Sequence, residues 1–252
     1  MPLRGRVEEV ARLSAETKSA MFALLDAHFL RVTRDGFERD LAEKRWSILV
    51  EDATTGRLVG FSTLVMLEGD VDGQPYRAIY SGDTIVDRAH WGDTELGRVW
   101  IGFLAEVARE RPAEPTFWFL TSMGHRTYRV LSLFFNRYYP APEAALPDFE
   151  RHVMDQLAAS RFGASYDAGA GVIRFDPPRE CLRPEIANLA DFQAAHPHVQ
   201  FFVSRNPGHA QGDELACLAR VEPSNYSRFA RKLMDRTARD TLETLRKPAA
   251  GR

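Results

Sequence analysis

Cysteine is almost missing from this chain. Its two cysteines, Cys181 and Cys217, stand far apart, and no short Cys/His cluster accompanies either, so neither a disulfide framework nor a zinc site is expected. A reducing cytoplasm is the expected setting, and the N-terminal residues carry no signal-peptide pattern. A basic excess is missing too. The 33 Lys and Arg against 35 Asp and Glu give a formal charge of -2, which argues against non-specific nucleic-acid binding. No apolar run approaches the roughly 20 residues that span a bilayer. Glycine is absent where two common motifs need it. No Gly-x-Gly-x-x-Gly follows a strand pattern, and no Gly-x-Ser-x-Gly elbow occurs, which sets aside a Rossmann and a serine-hydrolase reading.

What remains is ordinary globular composition, 44% hydrophobic and 27% charged, enough for one large domain or one domain with an appendage. Residues 7–13 read as a first strand. Ser14 stands at an N-cap position, and Met21, Leu24, Leu25, His28 and Phe29 then recur at helical spacing. Asp35-Gly36 is expected to break that helix before a short charged one, FERDLAEKR. Residues 46–51 and 58–67 read as strands around the Thr54-Thr55-Gly56 turn, and DVDGQ (70–74) turns the chain into a strand over 76–87. From Thr94 the positions Leu96, Val99, Trp100, Phe103, Leu104 and Val107 share one helical face, until Pro112 and Pro115. FWFLT (117–121) is apolar on both faces, the pattern of a buried parallel strand, and 125–135 is again helical.

The Pro/Ala segment 140–148 divides the chain. Behind it, 149–159 reads as helix, 171–175 as strand, 177–197 as irregular, and 199–204 with 214–221 as a hairpin completing the front sheet. A charged helix is expected over 224–246. The expected division is a core over 1–140, an insertion over 141–198, and the hairpin with the last helix over 199–252. The class is α/β (α+β), with a mixed, mainly antiparallel sheet flanked by helices.

Residues 76–104 are the most informative stretch. Ser81-Gly82-Asp83 puts a glycine and an acid inside a strand, where glycine often marks a bulge or a close approach of backbone or ligand. The helix after Trp91-Gly92 presents backbone N–H groups suited to an anion. This order of elements resembles the GNAT (Gcn5-related N-acyltransferase) superfamily over roughly residues 5–140, with the 199–221 hairpin. With Val86 on the family's strand-end apolar residue, Gly92 falls on the first glycine of the family's Arg/Gln-x-x-Gly-x-Gly/Ala loop, and Thr94 and Leu96 replace the later ones.

The resemblance implies that strands 76–87 and 117–121 splay apart to receive the pantetheine arm of an acyl donor. The donor would be acyl-CoA or an acyl carrier protein's phosphopantetheine, with no metal. The acceptor would be a small-molecule amine. The implied donor-binding residues are Val86, Arg88, Trp91, Gly92, Asp93, Thr94, Ser122 and Arg126. Backbone N–H groups over 82–86 are candidates for polarising the thioester carbonyl. Asp83 is the candidate base and His90 a candidate proton relay. The family's thiolate-protonating tyrosine implies Tyr128 or Tyr138 here, with His125 near the same gap. The alternative is a non-catalytic protein of the same shape that binds an acyl-CoA, a metabolite or a partner protein.

Overall fold

The computed structural model describes residues 2–142, 144–187 and 195–235. In chain order these form β1 (Leu3–Glu9), α1 (Ala15–His28), β2 (Phe29–Leu30), α2 (Arg34–Ala42), β3 (Trp46–Asp52), β4 (Leu58–Val71) and β5 (Gln74–Val86). Then come α3 (Glu95–Glu110), β6 (Thr116–Ser122), α4 (His125–Phe134), α5 (Asp148–Phe162), β7 (Tyr166–Asp167) and β8 (Val172–Ile173). The last are β9 (Cys181–Leu182), α6 (Pro184–Ala187), α7 (Pro197–Arg205), β10 (Glu214–Arg220) and a helix over 228–235, labelled α8. Among the described residues no helix is long and apolar enough to cross a membrane.

The main sheet runs β1-β3-β4-β5-β6-β10-β8-β7, and within it the pairing of β5 with β6 is parallel while the others are antiparallel. Turn chemistry fixes the front meander. Asp52 accepts the amides of Thr54 and Thr55 ahead of Gly56, whose φ is 72°, and Asp72-Gly73 take φ values of 53° and 82° between β4 and β5. Alternation then sorts side chains to two faces. Ile48, Val50, Ile79, Trp118 and Leu120 pack under α3, α4, α7 and α8. Their neighbours Leu49, Phe61 and Ile85 pack under α1 and α2, and Tyr80, Phe117 and Phe119 under α5.

Three expectations are corrected. The first strand is Leu3–Glu9, and 10–12 form a short 3-10 turn whose Val10, with Leu13, is buried against α1. Asp35-Gly36 does not break a helix. It lies in the first turn of α2, where Thr33 Oγ1 accepts the Gly36 amide, and the break comes at β2 and Arg31, whose φ is 64°. Residues 199–204 are not a strand. Pro197 at the first helical position and His196 capping the His198 amide start α7 instead. β10 accordingly takes its partners from β6 and β8. Of the helix expected over 224–246, 228–235 is observed and 236–246 lies outside the described residues.

Candidate active site

β5 and β6 are paired only from Arg77–Thr116 to Ser81–Leu120. Beyond that point β5 continues to Val86 beside β4, and β6 continues to Ser122 beside β10. The divergence starts at a bulge. Leu64 faces Ser81 and Ser62 faces Thr84, so Gly82 and Asp83 together oppose Thr63. A Cβ on Gly82 would stand 2.7 Å from both Lys44 Cε and Thr63 Oγ1, so any side chain there would force one of them to shift.

A cavity of about 1360 Å³ occupies the opening. Gly82–Val86 form one wall and Thr121 lies on the other. Leu96, Trp100 and Phe134 line it from the α3/α4 face, and Leu25, Phe37 and Phe162 from the α1/α2/α5 face. The cavity therefore passes through the sheet at the wedge.

Asp83 is recessed in this cavity, and its carboxyl is pushed up to about 8. Burial is the main cause; Asp40, Glu180 and Glu214 add to it, and Lys44 opposes it. Glu214 is raised to about 7 by burial, against a hydrogen bond from Thr121, and burial raises Glu180 as well. Lys44 is fully buried and bonds Asp40 Oδ2 at 2.6 Å, while Arg161 reaches Asp40 Oδ1 at 3.5 Å and lies 4.2 Å from the Tyr80 ring centroid. Poorly hydrated acids thus gather on the α1/α2/α5 side. Among the described residues no three His, Cys, Asp or Glu side chains are placed to hold a metal ion.

The α3 corner is built differently. Gly92 has φ 97°, with open space where a Cβ would point. Asp93 Oδ1 accepts the Glu95 amide at 2.7 Å, so a carboxylate already satisfies one donor of the α3 N-terminus. Trp91, 37% exposed, donates Nε1–H to the Val86 carbonyl at 2.9 Å, and the Arg126 guanidinium lies 4.1 Å from its ring centroid. Arg98 turns away to Glu95, at 2.7 Å.

Of the residues singled out in the sequence, Asp83, Val86, His90, Trp91, Gly92, Asp93, Thr94, His125 and Arg126 all line the one cavity. Four others do not. Tyr128 is wholly buried among Tyr138, Phe201 and Phe202 and donates its hydroxyl to the Pro140 carbonyl at 2.7 Å. Tyr138 is buried beside it, with its hydroxyl 2.7 Å from His198 Nδ1. Ser122 donates to the Gly124 carbonyl at 2.8 Å inside the β6–α4 junction. Arg88 is exposed, beside the Trp91 ring at 5.5 Å. Sequence reasoning missed Asp40, Glu180 and Glu214. They come from α2, the segment before β9 and the start of β10, and no local spacing links them.

No family model and no curated protein matches the chain. Solved structures that resemble it include a probable N-acyltransferase from Enterococcus faecalis V583, at 15% identity and TM-score 0.40. The match covers 54% of this chain, which spans 33% of that one. An acetyltransferase from Trypanosoma brucei is 20% identical over 57% of this chain and 100% of its own, at TM-score 0.39. Glucosamine-6-phosphate N-acetyltransferase from Arabidopsis thaliana is 16% identical over 59% of this chain and 97% of its own, also at 0.39. Identities and scores of this size assign neither a donor nor an acceptor.

Proposed function

We propose that this protein transfers an acyl group from a pantetheine-type thioester to a small amine. The observation that carries the reading is the cavity that crosses the sheet where β5 and β6 part, with Asp83 at the crossing. A thin thioester arm suits the α3/α4 side and an amine suits the acidic α1/α2/α5 side, so the two reactants meet at the bulge.

The residues fit such a donor unevenly. The wedge, lined by Trp100 and Trp118, offers an apolar wall to the arm. The α3 corner lacks a glycine cradle and holds the Asp93 carboxylate, while Arg126 supplies the positive charge for a phosphate. A donor with a single phosphate meets less opposition there than one with a diphosphate.

In this reading the ionised form of Asp83, which gains population as pH rises toward 8, takes a proton from the attacking amine as the carbon–nitrogen bond forms, and returns one to the sulfur as the carbon–sulfur bond breaks. Amine and thioester give amide and thiol. Backbone N–H groups of the β5 segment past the bulge supply the dipoles for the carbonyl oxygen; in other enzymes one such donor is worth roughly 3–4 kcal/mol. His90 and His125 stand on the cavity wall as additional polar groups. Burial and the neighbouring Arg126 depress His125 to about 4, so it acts as a neutral imidazole.

The test is a matrix of acetyl, octanoyl and palmitoyl thioesters, each on CoA and on 4′-phosphopantetheine, against a panel of primary amines, with thiol release and amide formation read together. Amide formed in step with thiol supports the reading. Tight thioester binding with no amide from any amine would leave a binding protein instead.

A further inference from the structure

Acyl transfer at the wedge needs the free edge of β5 to stay open and in place; this inference rests on that reading and names what holds the edge. Asp87 donates its amide to the Val59 carbonyl at 2.8 Å, and Val86 pairs with Gly60. Neighbouring residues of an antiparallel ladder alternate, so the Val86 N–H and carbonyl point away from β4, toward the opening. Two donors meet that carbonyl. Trp91 donates Nε1–H at 2.9 Å, and His28 Nε2 lies 3.1 Å away. The other ring nitrogen of His28, Nδ1, lies 2.8 Å from the Leu24 carbonyl, one turn back in α1.

His28 is 7% exposed and lines the cavity. Both of its partners are carbonyl oxygens, which only accept, so the ring makes both bonds only as the imidazolium, with a proton on each nitrogen. The end of α1 suits that cation, because the last carbonyls of a helix carry partial negative charge. No carboxylate among the described residues bonds the ring. The arginines around the end of α1 are engaged with backbone. Arg183 donates its guanidinium to the Asp26 carbonyl at 2.9 and 3.0 Å and its amide to the His28 carbonyl at 2.9 Å. Arg31 Nε donates to the Arg179 carbonyl at 2.6 Å. His28 thus joins α1 to the open edge of β5. Through the shared carbonyl it also reaches Trp91, on whose ring Arg126 of α4 rests at 4.1 Å. Because β6 leads into α4, one run of contacts from His28 through Val86 and Trp91 to Arg126 spans the two parted edges.

We propose that His28 is a positioning residue for acyl transfer. Donating through both ring nitrogens, it fixes the end of β5 against α1, so that this edge keeps its distance from β6 and the Val86 N–H faces the thioester. His28 needs no contact with the reacting atoms.

Ring ¹H–¹⁵N spectra of the full chain test the bonding without any substrate. At about pH 6 both ring nitrogens of His28 should carry protons that exchange slowly enough to be resolved, and both signals should vanish in His28→Phe. The same substitution should shift the Val86 carbonyl ¹³C signal and the Trp91 indole N–H. A single ring proton on His28, or Val86 and Trp91 signals unmoved by its loss, overturns the proposal. Kinetics then separate positioning from packing. In His28→Phe, kcat should fall about tenfold while KM for the thioester stays within about twofold. His28→Gln, which keeps an N–H for Val86, should recover most of that loss. A lower melting temperature with kcat unchanged also overturns the proposal. Should His28→Phe fail to fold, Trp91→Phe removes the other donor to the same carbonyl and should shift the His28 Nε2–H signal; an unmoved signal is then the overturning result. Absence of amide formation by the unaltered protein would instead overturn the transfer reading, and the spectra separate the two failures.

Discussion

Asp83→Asn makes two predictions that point in opposite directions. If Asp83 moves the amine proton, kcat for amide formation falls about 100-fold or more, and thioester affinity barely changes. Stability changes the other way. The folded chain holds the Asp83 proton up to about pH 8, whereas the unfolded chain releases it near the usual carboxylate value of about 4. Between those limits the native state binds the extra proton, so its stability is lost as pH rises through that window. Asparagine carries no such penalty. Melting curves should coincide near pH 4, and the variant should gain stability progressively toward pH 8, by up to about 1.4 kcal/mol for each pH unit crossed. A gain that is flat with pH would show that Asp83 is not held protonated by its burial. Tyr128→Phe serves as the contrast. It removes one buried hydrogen bond, to the Pro140 carbonyl, at a cost of about 1 kcal/mol, and should leave the rate unchanged. The different fates of Asp83 and Tyr128 show what the sequence could reveal of single residues. Asp83 is tied to a glycine that announces a bulge. The direction of Tyr128 depends on how α4 meets α7, and α7 itself read as a strand.

The bulge is the element on which the wedge depends. Gly82→Ala would place a methyl 2.7 Å from Thr63 Oγ1 and from Lys44 Cε, and Lys44 is fully buried and bonded to Asp40, so it yields poorly. Overpacking of this kind costs about 1–3 kcal/mol. It should also lower the rate, because relief would displace Lys44 from Asp40 or flatten β5 toward β6. Adding Thr63→Ala should recover part of the stability. Urea unfolding of the two single variants and the double variant gives the coupling, and strict additivity would mean that the methyl does not meet Thr63. Elements of this kind were legible in advance. The β3–β4 and β4–β5 hairpins, the β5-α3-β6 crossover and α4 each carry turn residues or a 3.6-residue period. The 3-10 turn after β1 and helix α7 were not, because a short apolar run fits a strand or a helix equally, and neighbouring elements decide between them.

At the scale of the whole molecule, the cavity is lined from both faces of the sheet, so on the proposed transfer reading donor and amine would occupy it together from opposite sides. Direct attack then needs no acyl-enzyme, and neither cysteine is placed to form one. Cys217 is wholly buried in β10, and burial pushes its thiol well above the usual range. Cys181 is buried in β9 against β2. Neither cysteine lines the cavity, although Glu180 and Leu182 on either side of Cys181 do. Initial rates measured over a grid of thioester and amine concentrations should therefore give intersecting reciprocal plots, the pattern of a ternary complex. Preincubation with thioester alone should release no burst of thiol and leave no acyl group on the protein by mass spectrometry. Iodoacetamide under native conditions should leave the rate within about twofold, since both thiols are buried and neither lines the cavity. Parallel plots with a stable acyl adduct would place a nucleophile in the path and remove the need for the two reactants to share the wedge.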